Sequence, residues 1–359
     1  MTIEVGMPVY RPSPRLEAVL TALAMQTYKD FYITIYNDTK PEETEEIAKD
    51  EAIVEKMRQT YGLKINLIQN DHNLGYMANM HQIFNKATGD ILFLLADDDI
   101  VSLDCIELLA KSFSDPEVGC VSRPYYWFID DFKKPVRYCG IQHEEITKVS
   151  FKDSSVEDIK MCMEATGQLS GLAFRRSMLA KDFLFVEDMF TAHVYPFLHI
   201  FKDHVCAYMP HPTVAVAITT SQCQNDIYSP SPMNQWVDLY RNVMPDSKYT
   251  AKRELALERH MLNDFIGLAQ IKNYGTFKEL WTEICNFVRF RKRNLLSLSF
   301  YVYAAGSIII PRFILRRLTN WYKANVIAKK LSDSVDFSLF PFDTIAPMWK
   351  FPEKNERSQ

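Results

Sequence analysis

Residues 87–100, ATGDILFLLADDDI, contain an apolar run from Ile91 to Leu95 that leads straight into Asp97, Asp98 and Asp99. The run reads as a short strand. Three adjacent carboxylates repel one another and are costly to desolvate. A strand that ends in them is expected to present them at a sheet edge or cleft, where a cation can neutralise the charge. Mg2+ or Mn2+, which prefer hard oxygen ligands and can hold a diphosphate, suit such a site.

Working back from this stretch, strands and helices alternate. Residues 3–7 form an apolar strand, and Leu16, Val19, Leu20 and Leu23 repeat at helical spacing up to Met25. FYITIY at 31–36 is a second strand, Glu42 to Tyr61 a charged helix, and KINLIQN at 64–70 a third strand. Asn73-Leu74-Gly75 turns the chain into a helix that runs to Lys86. This alternation predicts an α/β fold with right-handed crossovers and a mainly parallel sheet flanked by helices. Ligands of such sheets bind beyond the carboxyl ends of the strands. Three polar stretches fall there: Pro8–Arg11, Asn37–Asp38 and Asp97–Asp99.

The chain has no GxGxxG after the first strand and no GxxxxGK[ST]. A metal-held nucleoside diphosphate remains a coherent occupant. Tyr10 can stack on a base and Asp38 can accept from a ring N–H. Alternatively, Tyr10 packs on the sheet edge and Asp38 caps the following helix.

VGMPVYRP, LEAVLTALAMQTYKDFYITIYND and NLGYMANMHQIFNKATGDILFLLADDDI together resemble the start of a family 2, GT-A-fold (Rossmann-like) glycosyltransferase. The similarity covers residues 3–110 closely and 165–215 loosely. It implies a nucleotide-sugar donor seated on a divalent cation. Pro8 and Tyr10 then flank the base, Asp38 bonds it, Asp97 lies towards the ribose, and Asp98, with Asp99, ligates the metal. Ala96 stands where many members have the first aspartate of DxDD, and Asn37 replaces the first aspartate of the usual DD pair. The ADDDI form is similar to the branch that includes abequosyl and other deoxysugar transferases of surface polysaccharides.

The acceptor side is expected in the middle of the chain. Tyr125, Tyr126, Trp127 and Phe128 fit either a sugar platform or strand core, and GQLSGLAFRR at 167–176 resembles the family's glycine-rich approach to the acceptor helix. An inverting transfer needs a base for the acceptor hydroxyl. The family's Glu-Asp pair points to Glu187-Asp188, whereas its usual spacing from a polar turn points to His193. Both Asp188 and His193 are candidates. The chain lacks the QxxRW of processive synthases, so one sugar per encounter is expected. A GT-A-fold binding protein with little or no turnover is the alternative.

With 359 residues and 47% hydrophobic content, the chain is long enough for more than one domain. We expect residues 1–227 to bind donor and acceptor and 228–359 to be mostly helical, with SPSPM at 229–233 as the break. The net charge of -4 gives no case for nucleic acid. It is unevenly spread: residues 281–330 hold ten Lys or Arg and one acid, Glu283. Within them, 294–311 is an uncharged run of 18 residues, short of the roughly 20 apolar residues that span a bilayer. This favours a helix in a bundle or lying in an anionic membrane surface, where a glycan or lipid-linked acceptor would be met. The seven cysteines have no metal-site spacing, and the N-terminus lacks a signal peptide's basic start. A cytoplasmic, peripheral protein is expected.

Overall fold

The computed structural model describes residues 1–11, 14–179, 192–218, 228–327, 334–349 and 351. Its first half follows the alternation expected from the sequence. The elements are β1 (Ile3–Val9), α1 (Leu16–Ala24), β2 (Phe31–Asn37), α2 (Thr44–Tyr61), β3 (Ile65–Gln69), α3 (Tyr76–Lys86) and β4 (Ile91–Leu94). β1 lies between β2 and β4, parallel to both, with Val5 opposite Ile33 on one side and Phe93 on the other. All four residues of β4 are buried, which is why its sequence shows no polar alternation. α1 buries Leu16, Val19, Leu20 and Leu23. α2 buries only Asp50, Val54 and Met57 and otherwise faces water, as its charge requires.

The sheet then becomes mixed. β6 (Val118–Ser122), β9 (Thr147–Ser150), β10 (Ala173–Arg175) and β11 (Val205–Tyr208) complete eight strands in the order β3-β2-β1-β4-β10-β6-β11-β9. β10 runs antiparallel between β4 and β6, with β11 still parallel to β6. It thereby brings the 165–172 segment alongside the carboxyl end of β4, where Gly171 N donates to Leu94 O at 2.8 Å. A smaller sheet joins β5 (Ile100–Val101), β12 (Val214–Ala217), β7 (Tyr125–Phe128) and β8 (Arg137–Cys139) in the order β5-β12-β7-β8. Tyr125, Tyr126 and Phe128 are buried in it, so these aromatics are strand core. Trp127 is half-buried, with the Arg137 guanidinium 4.5 Å from its ring.

Beyond residue 228 the chain is helical. α7 (Pro232–Val243), α8 (Thr250–Leu257), α9 (Ile266–Tyr274) and α10 (Phe277–Phe290) form a bundle, in which a Thr276–Glu279 capping box starts α10. The intervening α4 to α6 are Cys105–Phe113, Val156–Glu164 and Val194–Phe201. The uncharged run becomes α11 (Leu298–Ile309), stops at Pro311 and continues as α12 (Arg312–Tyr322). None of the described helices is long and apolar enough to cross a membrane.

The last described residues leave the helical region and return to the sheets. Leu103 N donates to Leu339 O at 2.7 Å. Phe132 and Phe342 stack at 4.8 Å, and the Trp349 ring lies 5.6 Å from Phe128. Buried aromatics of this kind contribute roughly 1.5–3 kcal/mol each, enough to fix residues 334–349 as a strap on the amino-terminal body.

Candidate active site

The carboxyl ends of β1, β2 and β4 converge, and each predicted site residue there is held by its neighbours. Pro8 sits opposite Tyr36 in the register of β1 and β2, and Asp38 N donates to Val9 O at 2.7 Å. Tyr10 is half-buried just beyond. Arg11 follows with φ +56°, its N–H on Thr39 Oγ1 at 2.8 Å and its guanidinium on Glu43. That guanidinium also lies 5.3 Å from the Tyr10 ring. The two strand ends therefore form one corner.

Asp38 is buried in that corner, with two protein donors on each oxygen. Oδ1 accepts from Asn70 Nδ2 at 2.8 Å and Leu74 N at 2.7 Å. Oδ2 accepts from Gly75 N at 2.8 Å and Asn73 Nδ2 at 3.1 Å. The side chain thus fixes the turn that starts α3. It caps neither the helix after its own strand nor, in this arrangement, offers an unused oxygen to a base.

At the end of β4, Asp97 and Asp98 are half-buried and Asp99 is 1% exposed. Asp99 Oδ2 accepts from Ser170 Oγ at 2.6 Å and Gln168 Nε2 at 2.7 Å, and Oδ1 accepts from Ala217 N at 3.1 Å. Burial, then the charge of Asp98, push its pKa up to about 7 against these hydrogen bonds. The expectation that Asp99 ligates a metal meets a carboxylate already committed to the protein. Asp99 instead ties the acidic motif to the 168–170 segment and to β12. Among the described residues, no group of three His, Cys, Asp or Glu side chains converges to hold an ion by itself.

Two arginines organise the site, and local sequence does not single out either. Arg15 is buried at the start of α1, 4.9 Å from the Trp349 ring of the strap. Burial lowers its pKa, and the nearby charges of Asp98, Asp99 and Asp97 oppose that effect. Arg123 is fully buried and donates to Ala165 O at 2.7 Å, to Gln168 O at 2.9 Å and to Ser170 O. Gly171 beside it has φ +93°, and a Cβ there would lie 2.3 Å from Arg123 Nε. Glycine is required for both reasons. Arg175 and Arg176 also serve the fold: they donate to Val118 O and Gly89 O at 2.9 and 2.8 Å.

His193 precedes α6 and is buried. Its Nε2 meets Thr166 O at 2.9 Å, so that nitrogen must carry the proton, and Nδ1 accepts from Tyr76 Oη at 2.9 Å. Burial pulls its pKa down to about 4. Both nitrogens are occupied, and the burial that lowers its pKa makes the imidazole a weak base. It is a bridge. The Asp38-held turn leads to Tyr76, Tyr76 to His193, His193 to Thr166, and the segment after Thr166 to Asp99. Glu187 and Asp188 lie outside the described residues.

A cavity of about 540 Å³ lined by Met1, Asp90, Phe113, Arg175 and Arg176 lies at the amino ends of β1 and β4. It is at the opposite end of the strands from the carboxylates.

Residues 4–180 match the family described as Glycosyl transferase family 2. No curated protein matches the chain in sequence. Among solved structures, S. aureus TarS superposes with a TM-score of 0.58 at 14% identity, over 90% of this chain and 55% of that one. The chain therefore spans little more than half of that protein. The TarS 1–349 structure superposes with a TM-score of 0.58 at 13% identity, over 93% of this chain and 92% of that one. Mannosyltransferase PcManGT from Pyrobaculum calidifontis, in complex with GDP-Man and Mn2+, gives 0.52 at 14% identity, over 89% and 87%. With its acidic motif at the end of β4, this chain has the fold of these glycosyltransferase structures, and its residues 4–180 match the glycosyl transferase family 2 model.

Proposed function

We propose that the protein is an inverting, non-processive glycosyltransferase that moves a sugar from a nucleoside diphosphate, UDP or dTDP, to a glycan or lipid-linked acceptor of a surface polysaccharide. The observation that carries the reading is the pair Asp97 and Asp98, left half-exposed at the end of β4 while Asp99 is locked to Ser170 and Gln168. Structures of TarS 1–349 in complex with UDP and UDP-GlcNAc agree with a uridine donor.

Tyr10 stacks on the base. Asp38, with its oxygens taken by Asn70, Asn73, Leu74 and Gly75, holds the turn beside the base, and the choice of uridine or thymidine rests on the likeness to the UDP complexes. Asp97 meets the ribose. Asp98 is the protein ligand for Mn2+ or Mg2+. The oxygen donors fit a hard cation, and the shortage of further protein ligands fits one completed by diphosphate oxygens and water. When bound, the cation neutralises charge on the departing diphosphate.

The chain's own residues do the rest. The segment held by Arg123 brings backbone close to the donor sugar at Gly171. The acceptor hydroxyl attacks the anomeric carbon, the bond to the diphosphate breaks, and Asp188 takes the hydroxyl proton. His193 orients the two walls of the site.

The test is turnover of a panel of sugar nucleotides with Mn2+, with and without glycan acceptors, in the wild type and in Asp98→Asn. Release of nucleoside diphosphate that depends on Asp98 supports the reading. Donor binding without turnover for every sugar would reduce the protein to a binding module.

A further inference from the structure

α12 (Arg312–Tyr322) is inside out for a surface helix. Its polar side meets the protein. Arg312 Nε donates to Lys272 O at 3.0 Å, the Arg316 guanidinium lies 5.4 Å from the Tyr274 ring, and Asn273 Nδ2 donates to Thr319 Oγ1 at 3.3 Å. Arg312, Arg316 and Thr319 follow i, i+4, i+7 spacing, so they form one stripe laid on α9. Ile314, Leu318, Trp321 and Tyr322 repeat at i, i+4, i+7 and i+8 on the other side, and all four are exposed. No residue of α12 is buried. α11 before it buries only Phe300, Ala304 and Ser307. Around the junction Leu296 is 88%, Ile309 75% and Phe313 73% exposed. Contiguous apolar surface of this kind marks a docking face.

We infer that the α11–α12 face docks on an anionic lipid surface, lying in the headgroup plane with its apolar side chains at the acyl boundary. Charge chooses lipid over a second copy of this chain. Arg289, Lys292, Arg293 and Arg317 are exposed beside the patch, and none forms an ion pair among the described residues. Glu283, the only acid between residues 281 and 330, is buried against Ser231 Oγ and Met233 N. Two such faces apposed by a twofold axis would bring like charges together, whereas anionic headgroups neutralise them. Trp321, Tyr322 and Tyr301 supply rings suited to the level between acyl chains and water. The inference deepens the proposed function, since a lipid-linked acceptor would present its sugar at the same surface.

The experiment is flotation of the full chain with phosphatidylcholine vesicles, with and without phosphatidylglycerol, at low and high salt. We expect binding that needs phosphatidylglycerol and weakens with salt. Lys292→Gln with Arg293→Gln should weaken it about 25-fold, at about fivefold for each basic side chain. Leu318→Ser with Trp321→Ser should abolish it while circular dichroism stays unchanged, because both residues are exposed in the folded chain. Absence of binding to either vesicle overturns the inference. So does a lipid-free dimer that Leu318→Ser with Trp321→Ser dissolves, which would assign the face to a second copy. Vesicle binding requires no sugar transfer. Binding without turnover therefore supports the docking face and counts against the proposed reaction, and turnover without binding does the reverse.

Discussion

Ser170 Oγ donates to Asp99 Oδ2 at 2.6 Å and accepts from Ala96 N at 2.9 Å. One hydroxyl thus fastens the acidic motif to the 168–171 segment. Asp99 is almost fully buried, so Ser170→Ala leaves its carboxylate short of a donor. That should cost about 1–3 kcal/mol of stability and lower turnover by about tenfold as Asp97 and Asp98 lose their support. Urea unfolding and steady-state kinetics check both. Unchanged values in each would mean that Asp99 is held well enough by Gln168 and Ala217.

Asp98→Asn addresses the cation. Removing the charge should weaken Mn2+ binding in the presence of nucleoside diphosphate and cut transfer by at least about a hundredfold, because the departing diphosphate loses its counter-charge. Calorimetric titration of Mn2+ with UDP reads the first effect. Asp99→Asn should instead show its main effect in stability. Equal loss of Mn2+ affinity in the two variants would return Asp99 to the ligand set.

The first four strands and their helices were legible because each is a local signal. Ile3–Val9 and Phe31–Asn37 are rich in β-branched and aromatic residues, and Leu16 to Leu23 keep a helical period. The acidic motif was legible as a strand's polar end. Its division of labour was not. Asp97, Asp98 and Asp99 are identical in sequence, and only residues about seventy and more than a hundred positions away, Ser170 and Ala217, single out Asp99. Arg15 and Arg123 look like any surface arginine until the strap and the 165–171 segment cover them. The inverted face of α12 was hidden for the same reason. Its amphipathic pattern is plain in the sequence, but which side α9 covers is decided by tertiary contacts.

The donor base is testable by competition. Tyr10 and the Asp38-held turn share one corner, and on the uridine or thymidine reading UDP and dTDP should displace a bound donor at lower concentration than CDP or GDP. Asn73→Ala removes the 3.1 Å bond to Asp38 Oδ2 and loosens the turn, so it should blunt the preference by several-fold with little effect on Mn2+. Tightest displacement by GDP would overturn the choice of pyrimidine.

The base is decided by comparing Asp188→Asn with His193→Gln. Proton removal matters in the transition state, so loss of the true base lowers turnover and leaves donor affinity nearly intact. We expect that pattern in Asp188→Asn. His193→Gln should act through the fold, since it cuts the link from Tyr76 to Thr166. The two variants also differ with pH. The His193 pKa is lowered from 6.5 to about 4 by burial, so between those values the unfolded chain binds the extra proton. The neutral histidine's contribution to stability is therefore present above pH 6.5 and is lost as pH falls through about 4, at no more than about 1.4 kcal/mol per pH unit. Urea unfolding across this range should show the wild type losing stability relative to His193→Gln as the solution is acidified. The acid limb of the wild-type rate profile should not follow that loss while the protein remains folded. Collapse of turnover in His193→Gln with stability intact, beside near-normal turnover in Asp188→Asn, would hand the proton to the histidine.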